Sequence, residues 1–217
     1  MARVRAVADD EKLSKRHSIL DATFRLFMDN TNELPSMSAI AKASGLAKGT
    51  LYLYFRAKEE IFLALLEESF GRMLDGVQGV LAVRQESTAG FIGAFLGGYL
   101  GVLRGEPSFL RLASMTNSVL EQNLDPEIAV KFKKQLAVRL QDIGSMVETS
   151  LPHLGKGEGA KLLLHVYAIT IGLWQVLDCS KKIRSMLDDE IFSVLLADYF
   201  EELPIVLGQT LKGKLAG

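Results

Sequence analysis

Apolar residues recur at three- and four-residue intervals along almost the whole chain, and no stretch alternates with period two between turn residues. That pattern predicts helices and no sheet. Leu20, Phe24 and Phe27 make one stripe, widened by Ile19, Ala22 and Leu26, so a first helix is expected from about Lys12 to Met28. Asn30–Pro35 reads as a polar loop. Ser36 then precedes the apolar positions Met37, Ile40 and Ala41, and a serine hydroxyl caps a helix N-terminus well. Gly45 marks a tight turn, and a third helix is expected from about Ala47 to Phe55. A fourth begins at Lys58, with Glu59 and Glu60 in its first turn where the helix dipole favours them. Its apolar positions Ile61, Leu65, Leu66, Phe70 and Leu74 carry it to about Val83.

Gln85–Thr88 reads as a loop and a fifth helix follows to Arg104. Pro107 and Pro126 each suit the first position of a helix, and the second of these should run to about Ser150. Pro152 and Gly155–Gly159 end it. Further helices are expected from about Gly159 to Ser180, closed by Lys181 and Lys182, and from Asp188-Asp189-Glu190 past Tyr199, where Pro204 should kink or end the last one. The expected architecture is therefore all-α, with about nine helices. No repeat or low-complexity segment divides the chain. The domains expected are residues 1–58 and 59–217, joined through helix 4 without a flexible linker.

Two short helices around Gly45 have the layout of a helix-turn-helix, whose second helix lies in the DNA major groove. With residues about 100° apart around the axis, Leu51 and Phe55 share the inward side of helix 3 with Ile40 and Leu20. Gly49, Thr50, Tyr52 and Leu53 face outward and Tyr54 lies at the edge. Two tyrosines, a leucine and a threonine on a solvent face imply a partner. Hydroxyl and ammonium groups there suit phosphates, Leu53 suits a thymine methyl, and Gly49 lets the backbone approach closely.

Charge supports this. Residues 1–58 hold ten Lys/Arg against six Asp/Glu, a net +4, and the remaining 15 basic and 20 acidic residues give −5. A basic head on an acidic body fits polyanion binding by the head. Cys179 is the sole cysteine, so no disulfide forms within the chain, as suits a reducing cytoplasm. The start, MARVRAVADDEK, reads as too charged for a secretory signal. The uncharged runs Ser87–Leu103 and Leu162–Leu177, of 17 and 16 residues, fall short of the roughly 20 a spanning helix needs and read as buried core helices. No membrane association is expected.

The stretch Ser36-x-x-x-Ile40-Ala41-x-x-x-Gly45-Leu46-x-Lys48-Gly49-Thr50-Leu51-Tyr52-x-Tyr54-Phe55-x-x-Lys58-Glu59-Glu60 resembles the N-terminal domain of TetR/AcrR-family transcriptional regulators. The resemblance spans about 50 residues with helix 1 included; the rest of the chain resembles the family in length, helicity and helix order. It implies an N-terminal three-helix DNA-binding domain and a C-terminal helical ligand-binding and dimerisation domain. By resemblance Ser36 contacts phosphate as well as capping helix 2. Lys48, Thr50, Tyr52 and Tyr54 touch bases or backbone, and Lys58 binds phosphate. Leu53 departs from the aromatic or polar residue common there. Ala57 replaces the serine-type cap of helix 4, at about 1 kcal/mol. The resemblance also implies a homodimer built from the last two long helices, for which Ile169, Leu173, Val176, Ile191, Leu195 and Tyr199 are candidates, on a palindromic DNA operator.

The C-terminal body offers a pocket on its own terms. Phe95, Tyr99, Phe109, Leu112, Met115, Tyr167, Thr170 and Trp174 mix aromatic, methionine and hydroxyl side chains, as suits an apolar cavity with a few polar anchors. Gly93, Gly97, Gly101 and Gly105, with Gly98 beside them, leave one face of helix 5 bare. Each costs about 1 kcal/mol against alanine, which close helix packing or room for a ligand would justify, packing being the stronger reason. His153 and His165 read as exposed or satisfied rather than as ligands. No cofactor or metal is expected. Enzyme motifs such as H-E-x-x-H, a nucleophile elbow or a Gly-rich phosphate loop are absent. The expectation is a cytoplasmic, non-enzymatic, dimeric repressor released from DNA by a small apolar effector. A helical interaction module without DNA binding and, remotely, a helical enzyme are the rivals.

Overall fold

A computed structural model describes residues 2–29, 34–116 and 123–215. Among these there are ten α-helices, one 3-10 helix and no strand. The α-helices are α1 (Ala2–Asp29), α2 (Met37–Ser44), α3 (Lys48–Tyr52), α4 (Lys58–Leu81), α5 (Thr88–Gly105), α6 (Pro107–Met115), α7 (Pro126–Ser150), α8 (Glu158–Leu177), α9 (Lys181–Arg184) and α10 (Tyr199–Leu215). The 3-10 helix, Glu190–Leu196, precedes α10. Most of the expected loop Asn30–Pro35 lies outside the described residues.

The chain forms two compact units. One holds residues 1–68 and the described part of 115–126; the other holds 69–114 and 127–217. The division falls within α4, between Glu68 and Ser69. The N-terminal unit is built around Ile19, Leu20 and Phe27 of α1, Ile40 of α2, Leu51 and Phe55, and Ile61, Phe62 and Leu66 of α4, all buried. Phe27 meets Phe62 edge to face at 5.4 Å between ring centroids. Burial of side chains this size stabilises by about 1.5–3 kcal/mol each, which is what holds the short helices in place. Isolated helices as short as α2 and α3 are not stable in water.

In the C-terminal unit, α7 and α8 cross at two glycines. A Cβ built at Gly144 falls 2.4 Å from the backbone nitrogen of Ala160, and one built at Gly159 falls 2.1 Å from the Gly144 carbonyl oxygen. Only glycine permits that approach. Glu148 of α7 then reaches the start of α8, accepting hydrogen bonds from the Gly157 and Gly159 amides at 2.8 and 3.0 Å. It thereby supplies the cap that the neighbouring sequence lacks. Gly98 and Gly76 likewise accept valines, Val80 and Val102, across the α4–α5 contact. The expected packing role of the glycine stripe holds for Gly98 alone. At Gly93, Gly97, Gly101 and Gly105 an added Cβ meets nothing within 4 Å.

The C-terminal third departs from expectation. α8 ends at Leu177, not Ser180, because Asp178 turns to extended backbone, φ −79°, ψ 105°. Lys181 and Lys182 open α9 instead of closing α8. The last expected helix is split by the extended residue Ala197 into the 3-10 helix and α10. Asp198 restarts the chain as a helix by accepting from the Phe200 and Glu201 amides. Pro204 neither ends nor breaks α10. It removes one N–H, and the buried leucines 203, 207 and 211 outweigh that loss. Of the described helices, α8 is long and apolar enough by composition to cross a bilayer, and about a third of its most apolar stretch is buried. Leu162, Leu163, Val166, Thr170 and Ile171 bury one side of it in the unit core.

Candidate nucleic-acid interface and effector cavity

Local chemistry sets the geometry around Gly45. Ser36 stands in extended backbone and its hydroxyl accepts from the Ala39 amide at 3.2 Å, capping α2. Gly45 ends α2 in the left-handed region at φ +70°, where a side chain would be strained. The Leu46 amide returns to the Ala41 carbonyl at 3.0 Å, which closes the turn and aims α3. Ser36→Ala is expected to cost about 1 kcal/mol of stability in the N-terminal unit, read as a lowered urea midpoint at unchanged slope.

α3 is shorter than expected, Lys48–Tyr52, although Tyr54 and Phe55 still donate backbone hydrogen bonds to the Leu51 carbonyl. Leu51 and Phe55 are buried. The Arg16 guanidinium lies 4.9 Å from the centroid of the Phe55 ring, a tie between α1 and the turn after α3 that helical periodicity does not reveal. The candidate DNA-facing set gathers on the other side. Ser36, Lys48 and Gly49 are exposed, Tyr52 is 47% and Leu53 80% exposed, and Thr50, Tyr54 and Lys58 are half-exposed. At Gly49 a Cβ would meet nothing within 4 Å, so bare backbone is open to a partner. α4 carries no side-chain cap at Ala57; instead Glu60 accepts from the Arg56 amide at 2.8 Å, restoring part of what the missing serine would supply.

The C-terminal unit contains a cavity of about 90 Å³ between α4, α5, α6, α7 and α8. Tyr99, Phe109 and Tyr167 line it as expected. Phe95, Leu112, Met115, Thr170 and Trp174 do not; the wall is completed chiefly by leucines and by Phe70, Met73, Leu74 and Val77 of α4. Phe95 is buried in a stack with Phe91 and Tyr99, and Leu112 in the core. Met115 groups with the N-terminal unit. Trp174 packs edge to face on Tyr199 at 5.2 Å. Thr170 sits behind the wall: its hydroxyl is 2.9 Å from that of Tyr99, and its carbonyl accepts from the Tyr199 hydroxyl at 3.0 Å. Burial pushes both phenols well above the usual tyrosine range.

The candidate dimer residues divide. Val176, Ile191 and Leu195 are exposed, and Ile169 and Leu173 are half-buried. Tyr199 is not a surface residue, since its ring is buried and its hydroxyl is spent on Thr170. Ile183, Met186 and Val194 are exposed beside the others in sequence. His153 and His165 are exposed, and Cys179 is half-buried.

Residues 19–65 match the family model for bacterial regulatory proteins of the tetR family, and residues 80–217 match a tetracyclin repressor-like C-terminal domain. The chain is 33% identical over 79 residues to the fatty acid metabolism regulator protein of Bacillus subtilis (strain 168), covering 36% of this chain and 40% of that protein. It is 31% identical over 68 residues to the HTH-type transcriptional repressor AcnR of Corynebacterium efficiens, covering 31% of this chain and 36% of that one. The matches thus span roughly two-fifths of the length of these relatives. Among solved structures, the fatty acid degradation regulator FadR from Bacillus halodurans shares the fold with a TM-score of 0.57 at 18% identity, over 91% of this chain and 94% of that one.

Proposed function

The chain belongs to the tetR family of bacterial regulatory proteins, and on that premise we propose that it is a cytoplasmic, homodimeric, non-enzymatic repressor that leaves a palindromic operator when a small, mostly apolar effector binds. The observation that carries the reading is α4. One continuous helix bears Lys58 at its start and the cavity residues Phe70, Met73, Leu74 and Val77 further along. An effector that alters the cavity wall shifts that helix, and with it Lys58 and α3. The two recognition helices of the dimer then lose register with successive major grooves. The effector acts because it binds the non-DNA state better.

On this reading Ser36 and Lys58 hold phosphates. Lys48, Thr50, Tyr52 and Tyr54 touch bases or backbone, Leu53 rests on a thymine methyl, and Gly49 admits the DNA backbone. Ile169, Leu173, Val176, Ile191 and Leu195 contribute to the dimer surface.

Titrating the protein against the DNA flanking its own gene tests the reading. Affinity is expected to fall by about 10³-fold or more between about 50 and 200 mM salt, as for a protein that neutralises six to ten phosphates. Binding should saturate at one dimer per site. A helical module without DNA binding would show neither the affinity nor the salt dependence.

A further inference from the structure

Among the described residues, no charged side chain lines the cavity of the C-terminal unit. Four aromatic rings face it, those of Phe70, Tyr99, Phe109 and Tyr167, and most of the remaining wall is leucine, valine and methionine. We propose that the part of the effector held here is an uncharged, compact hydrocarbon group about the size of one benzene ring, with any ionised group left outside beside Leu164. This rests on the cavity being the effector site.

Three observations carry it. The first is electrostatic: an ionised group drawn into this wall loses its hydration with no counter-ion to replace it, a cost of several kcal/mol. The second is a proton count. Thr170 donates its hydroxyl hydrogen to the Val166 carbonyl at 2.7 Å. The Tyr99 hydroxyl must therefore donate to Thr170 across the 2.9 Å between them. Its single proton is committed away from the cavity, so Tyr99 presents an aromatic ring to a ligand and no hydrogen-bond donor. The third is size. The cavity is about 90 Å³. Apolar cavities of about 150 Å³ stay dry and admit benzene. A ring-sized group therefore enters here by moving a wall, and Leu164, 50% exposed, is the lining residue at the rim. Edge-to-face contacts with the four rings favour an aromatic guest.

The test uses the full chain, titrated by calorimetry and thermal shift with toluene and separately with benzoate. Toluene should give a saturable rise in Tm. Benzoate should bind at least about 100-fold more weakly, because its carboxylate is joined directly to the ring, with no spacer to carry it out beside Leu164, and must either be buried or hold the ring out of the cavity. Val77→Phe, which fills the cavity from α4, should abolish the toluene response. Leu140→Phe fills it from α7 and serves where the first variant does not fold. Benzoate binding as tightly as toluene, no toluene binding, or a toluene response that survives in a folded, filled variant would each overturn the inference. Adding toluene to a preformed DNA complex separates this from the functional reading. Toluene that fills the cavity but leaves DNA affinity unchanged retains the ligand class and removes the effector role. A protein that binds DNA but ignores toluene does the reverse.

Discussion

Gly159→Ala is expected to destabilise the C-terminal unit by at least about 3 kcal/mol, the upper end of ordinary overpacking, and Gly159→Val to prevent its folding. The new Cβ would lie 2.1 Å from the Gly144 carbonyl oxygen. That obstacle is backbone and cannot rotate aside, so α7 and α8 must separate. Separation withdraws the Glu148 carboxylate from the Gly157 and Gly159 amides and uncaps α8 as well. The mirror substitution Gly144→Ala meets the Ala160 backbone nitrogen at 2.4 Å and should behave alike. Gly97→Ala supplies the contrast. It adds a methyl group into open space on an exposed helix face and should stabilise by about 1 kcal/mol. Urea denaturation followed by circular dichroism reads the three alanine variants. Equal, small effects at positions 97 and 159 would show that the close helix crossing is wrong.

The double variant Lys48→Ala/Tyr52→Ala should lose operator affinity by about a thousandfold or more while keeping the fold. Both side chains are exposed, whereas Leu51 and Phe55 make the core of the same segment. Removing a contact to DNA costs about 1–3 kcal/mol, and two-fold symmetry doubles the losses. A total of about 4 kcal/mol corresponds to that fold-change. The lost lysine should also lower the salt slope by about one per phosphate released. Fluorescence anisotropy on the operator, with circular dichroism as the folding control, measures both. Unchanged affinity would place the DNA-reading surface elsewhere.

Legibility in the sequence tracks the range of the interactions involved. Ser36 as a cap, Gly45 in the left-handed turn, Pro107 and Pro126 at helix starts, and the inward side of α3 all depend on residues a few positions apart. Periodicity and capping chemistry expose such features directly. The cavity was legible only in part. Helical periodicity predicts that Tyr99, Phe109 and Tyr167 turn inward, but equally that Phe95 and Thr170 do. Which of them borders empty space depends on how five helices meet. The same limit hid Arg16 over Phe55 and the inward turn of Tyr199, whose partners lie far away in sequence, and Glu148 as the cap of a different helix, whose partners lie beyond the turn that ends its own.

By itself the sequence determined an all-helical chain, the position of the helix-turn-helix and the exposed side of its second helix, because hydrophobic period, caps and turn glycines act within a few residues. The tertiary structure alone decided which glycines permit close helix crossings and which inward side chains enclose a cavity. Those outcomes rest on contacts between distant segments, and local spacing carries no information about which segment arrives opposite another.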